Sequence, residues 1–344
     1  MAIFTKVMLV IWLLMILVLA LLIFRITSLS NPTDLQHQDP IVDVFAITSP
    51  ASRLSYDFYR NSCPAAEEGC DGSVLLNSSS NPNSTAERTA IPNRTLRGFN
   101  HIDAIKEAVE KICPGVVSCA DILALATRDG VVQIGGPYYP VLTGRRDSKI
   151  SYFNEATNHI PRPTDNVTQF LRAFAQRGFN ARETVALLGA HNIGRMGCGV
   201  IRARFNFSGT GNPDPSIPAD LLNEMRRRCP DQDQVNSESP SPAPSSDSSA
   251  VPAKSNNNSM PNGEKFDAHF YKNLLKGRGL IFSDQQLTAR GTTSRIVRAY
   301  ASDDGGEQAF RRDFARAMIK LSNLNVLTGD EGEIRLSCSL PRNT

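Results

Sequence analysis

Residues 185–194 read VALLGAHNIG: an apolar helical run that starts near Glu183 and ends at His191, with Gly189 and Gly194 on either side. The chain has five histidines, His37, His101, His159, His191 and His269. Taken singly, each reads as a structural or surface residue. His191 stands apart because its small neighbours leave room for a flat group to approach the imidazole. Farther on, residues 279–287, GLIFSDQQL, place Asp284 in an apolar setting. A buried carboxylate needs a partner. A histidine whose second ring nitrogen donates to a carboxylate is a strong metal ligand, and a proximal haem-iron ligand has that arrangement. Spacing alone does not bring the two residues together.

Outward from this stretch the pattern stays helical. Phe99, Ile102, Ile105, Ala108, Val109 and Ile112 recur three or four apart, and Pro114-Gly115 stops that run. Ala120 to Ile134 is a second helix, closed by Gly135-Gly136-Pro137. Thr164 or Asp165 caps a third, with Val167, Phe170, Leu171 and Phe174 on one face and Gly178 at its end. Phe266, Phe270 and Leu274 line another, and Phe310, Phe314, Met318 and Leu321 a long late one. Alternating strand patterns are nearly absent, so the class is mainly α.

Composition narrows the class further. The 344 residues are 41% hydrophobic and 21% charged, ordinary for a globular protein. That excludes wholesale disorder, collagen and a multi-span membrane protein. A net charge of +3 is too small for a nucleic-acid binder, and the one dense basic run, Arg226-Arg227-Arg228, reads as a solvated helix end. Val7 to Phe24 is unbroken apolar sequence between Lys6 and Arg25. It is longer than the roughly 7–15 residues usual in a signal peptide and just long enough to span a bilayer. Residues 1–30 are therefore a signal peptide or a signal anchor, and both routes lead into the secretory pathway. Residues 31–52 read as a stem and 53–342 as the folded domain. Within it, residues 230–263 are rich in Ser, Pro, Asn and Asp and too polar to order themselves. Sequons at Asn77, Asn83, Asn93, Asn166, Asn206 and Asn257 agree with secretion. So do the 7 cysteines, which form no C-x-x-C pair. The odd count leaves one thiol over.

The motifs FYRNSCP, GCDGSVLL, LRGF, CPGVVSCADILALATRD, GGPYYPVLTGRRDS, VALLGAHNIG, FDAHFYKNLL, GLIFSDQQL and LTGDEGEIRLSC follow one another from Leu54 to Cys338. In these the chain resembles the plant secretory, or class III, haem peroxidases. The resemblance implies an all-α fold of two helical halves with haem b between them. It implies His191 as axial iron ligand and Asp284 as its hydrogen-bonded partner. It implies hydrogen peroxide and small phenolic donors as reactants, with Pro161 flanking the donor. The protein would be a monomer, secreted to the cell exterior or wall, or else held by a single membrane anchor. Disulfides would join Cys63 to Cys113, Cys119 to Cys338 and Cys198 to Cys229, leaving Cys70 alone. Two calcium sites are implied: Gly69, Asp71 and Ser73 at one, and Asn192, Ser259, Asn262 and Asp267 at the other. With one carboxylate each, both would bind weakly. Glu87 and Asn93 match a network that in the family leads to a distal histidine.

That histidine is missing. Ser62 to Asp71 reads SCPAAEEGCD, running straight across a place where the family has two helices ending in a pattern like LRLHFHDCF. With them go the distal His, the distal Arg, a calcium-binding Asp and the partner of Cys70. Loss of a general acid–base costs roughly 10²–10⁴ in rate, and loss of an electrostatic stabiliser about 10²–10³. Three readings follow: a secreted peroxidase of reduced activity, a non-catalytic haem-binding or structural glycoprotein, and the product of a defective or incomplete gene.

Overall fold

A computed structural model of the chain describes Leu54 and residues 71–77, 85–230 and 259–342, all within the compact unit Ala51–Thr344. The apolar segment Val7–Phe24, the stem, Cys63, Gly69, Cys70, the sequons Asn83 and Asn257, and residues 231–258 of the low-complexity stretch lie outside the described residues.

Eleven α-helices build the described part. They are α1 Phe99–Ile112, α2 Cys119–Gln133, α3 Phe153–His159, α4 Val167–Ala175, α5 Ala181–Leu188, α6 Cys198–Ile201, α7 Ala219–Arg228, α8 His269–Leu275, α9 Phe282–Gln285, α10 Gly291–Ala301 and α11 Gly306–Ser322. Strands are confined to two antiparallel ribbons. In one, β1 Arg145–Arg146 pairs with β4 Leu327–Thr328; in the other, β2 Gly194–Gly197 pairs with β3 Ser259–Gly263. The all-α class holds.

The largest core gathers one face each of α4, α5, α8, α10 and α11. Phe170, Val185, Tyr271, Leu274, Val297, Tyr300, Phe310 and Phe314 interlock there. Its aromatic rings meet at centroid distances near 5 Å: Tyr271–Phe310 edge-on at 5.0 Å, Phe266–Phe310 stacked at 5.1 Å and Tyr271–Tyr300 tilted at 5.0 Å. Two buried hydroxyls there find acceptors. Tyr271 donates to the Val185 carbonyl at 3.0 Å and Tyr300 to Asp313 at 2.7 Å. A second core joins α1 to α2 around Leu75, Ile102, Val117 and Ile122, with the Cys119–Cys338 disulfide inside it. A third surrounds the Cys198–Cys229 disulfide, with Ile201, Leu221, Met225 and Met260. These two bridges are the expected ones. Cys113 is disulfide-bonded as well, while its expected partner, Cys63, lies outside the described residues.

Several local expectations change. The cap of α4 is Asn166, not Thr164 or Asp165. Its side chain accepts from the amides of Thr168 and Gln169, and Gln169 reaches back to the Asn166 amide at 2.8 Å, a capping box. On α1 the buried face is not the full apolar stripe. Ile105 is 41% and Ile112 73% exposed, whereas Lys106 is buried, its ammonium donating to the Val117 carbonyl at 2.6 Å and pairing with Glu110. Arg226, Arg227 and Arg228 do form the last turn of α7, where cations complement the helix dipole.

Asp147 ties the α1–α2 half to the C-terminal segment. Its carboxylate accepts from the Cys119 and Ala120 amides at the start of α2, at 3.1 and 2.8 Å, and from the Arg335 amide at 2.9 Å. The buried Arg335 guanidinium donates to the carbonyls of Gly72, Ser148 and Cys338. A buried donor left without its acceptor costs about 1–3 kcal/mol, and Asp147→Ala strands three. The variant is expected to lose about 3 kcal/mol or more of unfolding free energy in urea titration; a loss under about 1 kcal/mol would remove the carboxylate from this role.

Candidate active site

His191 lies in a single 3₁₀ turn, Gly189–Asn192, that continues α5. α5 is fixed at its start by Asn180, which accepts from the Glu183 amide at 2.9 Å while Glu183 accepts from the Asn180 amide at 2.7 Å. The helix then delivers its end against the aromatic core. Here Gly189 has a use other than the one its sequence suggests. A Cβ at Gly189 would lie 2.2 Å from the Tyr271 hydroxyl and 2.6 Å from Phe310. Its smallness serves packing on the core, not access to the imidazole. Gly194, by contrast, has φ +83° and open space around it, so it turns the backbone into β2.

Asp284 arrives on the short helix α9. The Ser283 amide donates to the Pro163 carbonyl at 3.0 Å. The Gln285 side chain accepts from the Gly279 amide at 3.0 Å and donates to the Leu274 carbonyl at 3.0 Å. The Pro163 contact links α9 to the loop Ile160–Pro163, so half-buried Pro161 belongs to the same neighbourhood as Asp284.

The two residues meet. His191 Nδ1 lies 2.8 Å from Asp284 Oδ1, with the carboxylate side chain 3% and the imidazole 38% exposed. Phe270 sets its ring edge-on to the imidazole, with centroids 6.4 Å apart. Nδ1 is thus engaged inside the protein, and Nε2 is the ring nitrogen left for another ligand. A cavity of about 130 Å³ adjoins the pair, lined by Leu221, Met260, Phe270, Leu280 and the polar Glu224 and Arg278. The negative charge of Asp284 raises the His191 pKa above its ordinary value, against the opposing effect of burial.

The other candidate residues fall into two groups. Beside His191, Asn192 is fully buried and donates from Nδ2 to the Asp267 carbonyl at 2.9 Å. Ser259 and Asn262 stand on β3, and Asp267 precedes α8. Elsewhere, Asp71 Oδ1 accepts from the Ser73 amide at 3.2 Å and the Ser73 hydroxyl at 3.1 Å. Glu87 and Asn93 are joined, with Asn93 Nδ2 donating to the Glu87 carbonyl at 3.0 Å. Burial raises the Glu87 pKa, with a smaller push from Asp71, against hydrogen bonds from Ser73 and the Tyr152 amide that lower it. Asn93 is buried, and its amide nitrogen is engaged inside the fold, so this sequon is closed in the folded protein. Asn77, Asn166 and Asn206 are exposed. Gly69 lies outside the described residues. Sequence reasoning passed over His269, which bonds to both Asp267 and Asn262. Its place two residues after an acidic one gave no distinctive signal.

The peroxidase family model matches residues 33–303. Among curated proteins, the one named as peroxidase 48 in Arabidopsis thaliana is 40% identical over 364 aligned residues, covering 89% of each chain. Peroxidase N1 of Nicotiana tabacum is 39% identical, covering 87% of this chain and 93% of its own length. Peroxidase 25 of Arabidopsis thaliana is 42% identical, covering 79% of this chain and 77% of its own. The chain belongs to the peroxidase family, among the class III plant peroxidases.

The charge coupling at the centre is testable in the haem-free protein. A raised histidine pKa means that the pair's stabilisation is fully present below the unfolded histidine value and is lost as pH rises through the folded one. Asp284→Asn is expected to lower the His191 pKa in an NMR titration of the imidazole. It should also flatten the fall in thermal stability across that window. An unchanged titration would show that the carboxylate does not charge-couple to the ring.

Proposed function

We propose that this protein holds haem b through His191 Nε2 and reacts with hydrogen peroxide far more slowly than a peroxidase with a complete distal side. One observation carries the haem assignment: the 2.8 Å contact between His191 Nδ1 and the buried Asp284 carboxylate. A carboxylate accepting the Nδ1 hydrogen fixes tautomer and ring orientation and makes Nε2 a better electron donor. The donor set therefore fits haem iron. When bound, haem supplies the redox chemistry by which peroxidases reduce hydrogen peroxide and oxidise a donor. The protein's own part at this side is to hold Nε2 in place and keep its basicity high. Pro161, on the loop bonded to α9, is our candidate for the edge where a phenolic donor approaches.

Support for a weak distal side comes from the residues that remain. Among the described residues, His101 and His159 are exposed on α1 and α3, and His269 is held between Asp267 and Asn262. None is placed to take a proton from peroxide. Glu87 and Asn93 keep each other's company without a histidine to orient. Ile105 and Ile112, seven residues apart on one face of α1, are exposed, as are Ile91 at 70% and Leu96 at 42% just before it. Such a row of apolar side chains fits the loss of a packing partner. The secretory route, with or without a membrane anchor, is read from the N-terminal apolar segment and the family. Among the described residues no helix is long and apolar enough to cross a membrane.

A second reading has its own support. The alignment with the Arabidopsis relative covers 364 positions, more than the 344 residues of this chain. The relative therefore carries sequence absent here, which favours a transcript that encodes more than this chain. Sequencing it across the codons for Pro64 to Gly69 decides the matter. An insert ending in an LRLHFHDCF-like run would make the protein an ordinary secreted peroxidase, whereas an uninterrupted junction leaves the slow protein as proposed.

For the chain as it stands, His191→Ala is expected to abolish haem retention through gel filtration, read from the haem absorbance. Retained absorbance would remove the ligand assignment. Stopped-flow mixing of the haem-loaded chain with hydrogen peroxide is expected to give a rate about 10²–10⁴ below that of a relative with a distal histidine. An equal rate would overturn the proposal of an impaired distal side.

A further inference from the structure

The family resemblance implies calcium beside His191, held by Asn192, Ser259, Asn262 and Asp267. Most oxygens of these residues are already engaged, chiefly by basic side chains. Ser259 Oγ accepts from Arg195 Nε at 2.8 Å, and the Ser259 carbonyl accepts from Arg195 Nη2 at 3.2 Å. The Asn262 carbonyl lies 2.8 Å from His269 Nε2. Asp267 Oδ1 lies 2.5 Å from His269 Nδ1 and accepts from the His269 amide at 2.8 Å. The Asp267 carbonyl accepts from Asn192 Nδ2 at 2.9 Å. Asn192 Oδ1 is buried and without a hydrogen-bond partner. Calcium takes about 6–8 oxygen ligands, with carboxylates supplying most of the affinity. The side-chain oxygens of Asn192 and Asn262 and what Asp267 has left, with a single carboxylate among them, do not make that set.

The imidazole is packed into this place. A Cβ at Gly263 would lie 2.4 Å from His269 Cε1, 2.5 Å from His269 Nε2 and 2.4 Å from the Asn192 carbonyl oxygen. Gly263 ends β3 and faces Gly194 of β2 across the ribbon. Its missing side chain is what lets the ring reach the Asn262 carbonyl. The residues present do not fit calcium; they fit each other.

We infer that His269 and Arg195 replace the divalent cation at this position, clamping β3 to α8 and to β2, so that the His191 side of the protein is held together without calcium. The clamp matters to the site because Met260, Pro261 and Asn262 of β3 line the cavity next to His191. The inference rests on these contacts and holds whether or not His191 carries haem.

Equilibrium dialysis against radioactive calcium tests it on the full chain, alongside thermal unfolding with and without EGTA. Asp71→Asn removes the carboxylate of the other calcium site that the family implies, so any binding left reports on this one. That variant is expected to bind no calcium at about 1 mM, the weak end of protein calcium sites, and to melt at the same temperature with and without chelator. His269→Ala is expected to melt about 2–6 °C lower, with no recovery on adding calcium. One tightly bound calcium in Asp71→Asn, two in the unmutated chain, or an EGTA-induced fall in the melting temperature of Asp71→Asn would overturn the inference. So would an unchanged melting temperature in His269→Ala. Should His269→Ala fail to fold, the dialysis arms alone decide.

Discussion

A carboxylate buried as deeply as that of Asp284 must be compensated, and the compensation is the Nδ1 of His191 at 2.8 Å. That single contact fixes where α9 sits against the turn after α5, which imidazole nitrogen faces outward, and how the ring is tilted. Much of the surrounding structure serves it. Gln285 pins α9 to Gly279 and Leu274, and Ser283 pins it to Pro163. Gly189 lets Tyr271 and Phe310 close against the turn that carries His191. Tyr271 in turn bonds to the Val185 carbonyl one helical turn before Gly189. The aromatic core and the histidine are parts of one packing problem, because the end of α5 belongs to both.

This explains which features were legible in the sequence. His191 and Asp284 both stand in apolar runs, and a polar residue there needs a reason, so each could be singled out before the fold was known. Helices with apolar residues every three or four positions were also visible. α10 was not, because GTTSRIVRAYA has a polar first half, and only Ile296, Val297 and Tyr300 mark the apolar part of its buried face. Nor was the burial of Lys106, since periodicity ranks it as surface and only a carbonyl and a carboxylate beside it make the burial tolerable. The same blindness hid His269. Its partners are the Asn262 carbonyl on β3 and the carboxylate of Asp267 two residues before it, and no helix or strand periodicity encodes either. Gly189 was visible, but its purpose was misread, because the atoms that fill its space come from residues far along the chain.

The chain departs from the family in two places, and the two differ physically. Beside His191 the change is compensated. At oxygens that the resemblance would assign to a cation, this chain has a histidine and an arginine bonded to them, and a glycine that leaves room for the ring. Among the buried side-chain polar atoms there, Asn192 Oδ1 alone is without a partner. A set of substitutions that fits this well keeps β3 in place and leaves the His191–Asp284 pair undisturbed.

Around α1 the change has no such answer. Ile105 and Ile112 are exposed on one face of α1, and Ile91 and Leu96, which precede it in the chain, are exposed as well. Glu87 and Asn93 keep a hydrogen-bonded arrangement, in which Asn93 donates to the Glu87 carbonyl and the Glu87 carboxylate accepts from the Tyr152 amide. Burying an isoleucine is worth roughly 1.5–3 kcal/mol, so these exposed side chains forgo part of that stability. The proximal half thus behaves as a finished structure, able to hold a ligand on Nε2 by its own packing. On our proposal the half that would handle peroxide lacks a neighbour, and the exposure of Ile105 and Ile112 fits that reading. Holding haem and cleaving peroxide are separable tasks because different groups carry them, and on our proposal the His191–Asp284 pair serves the first.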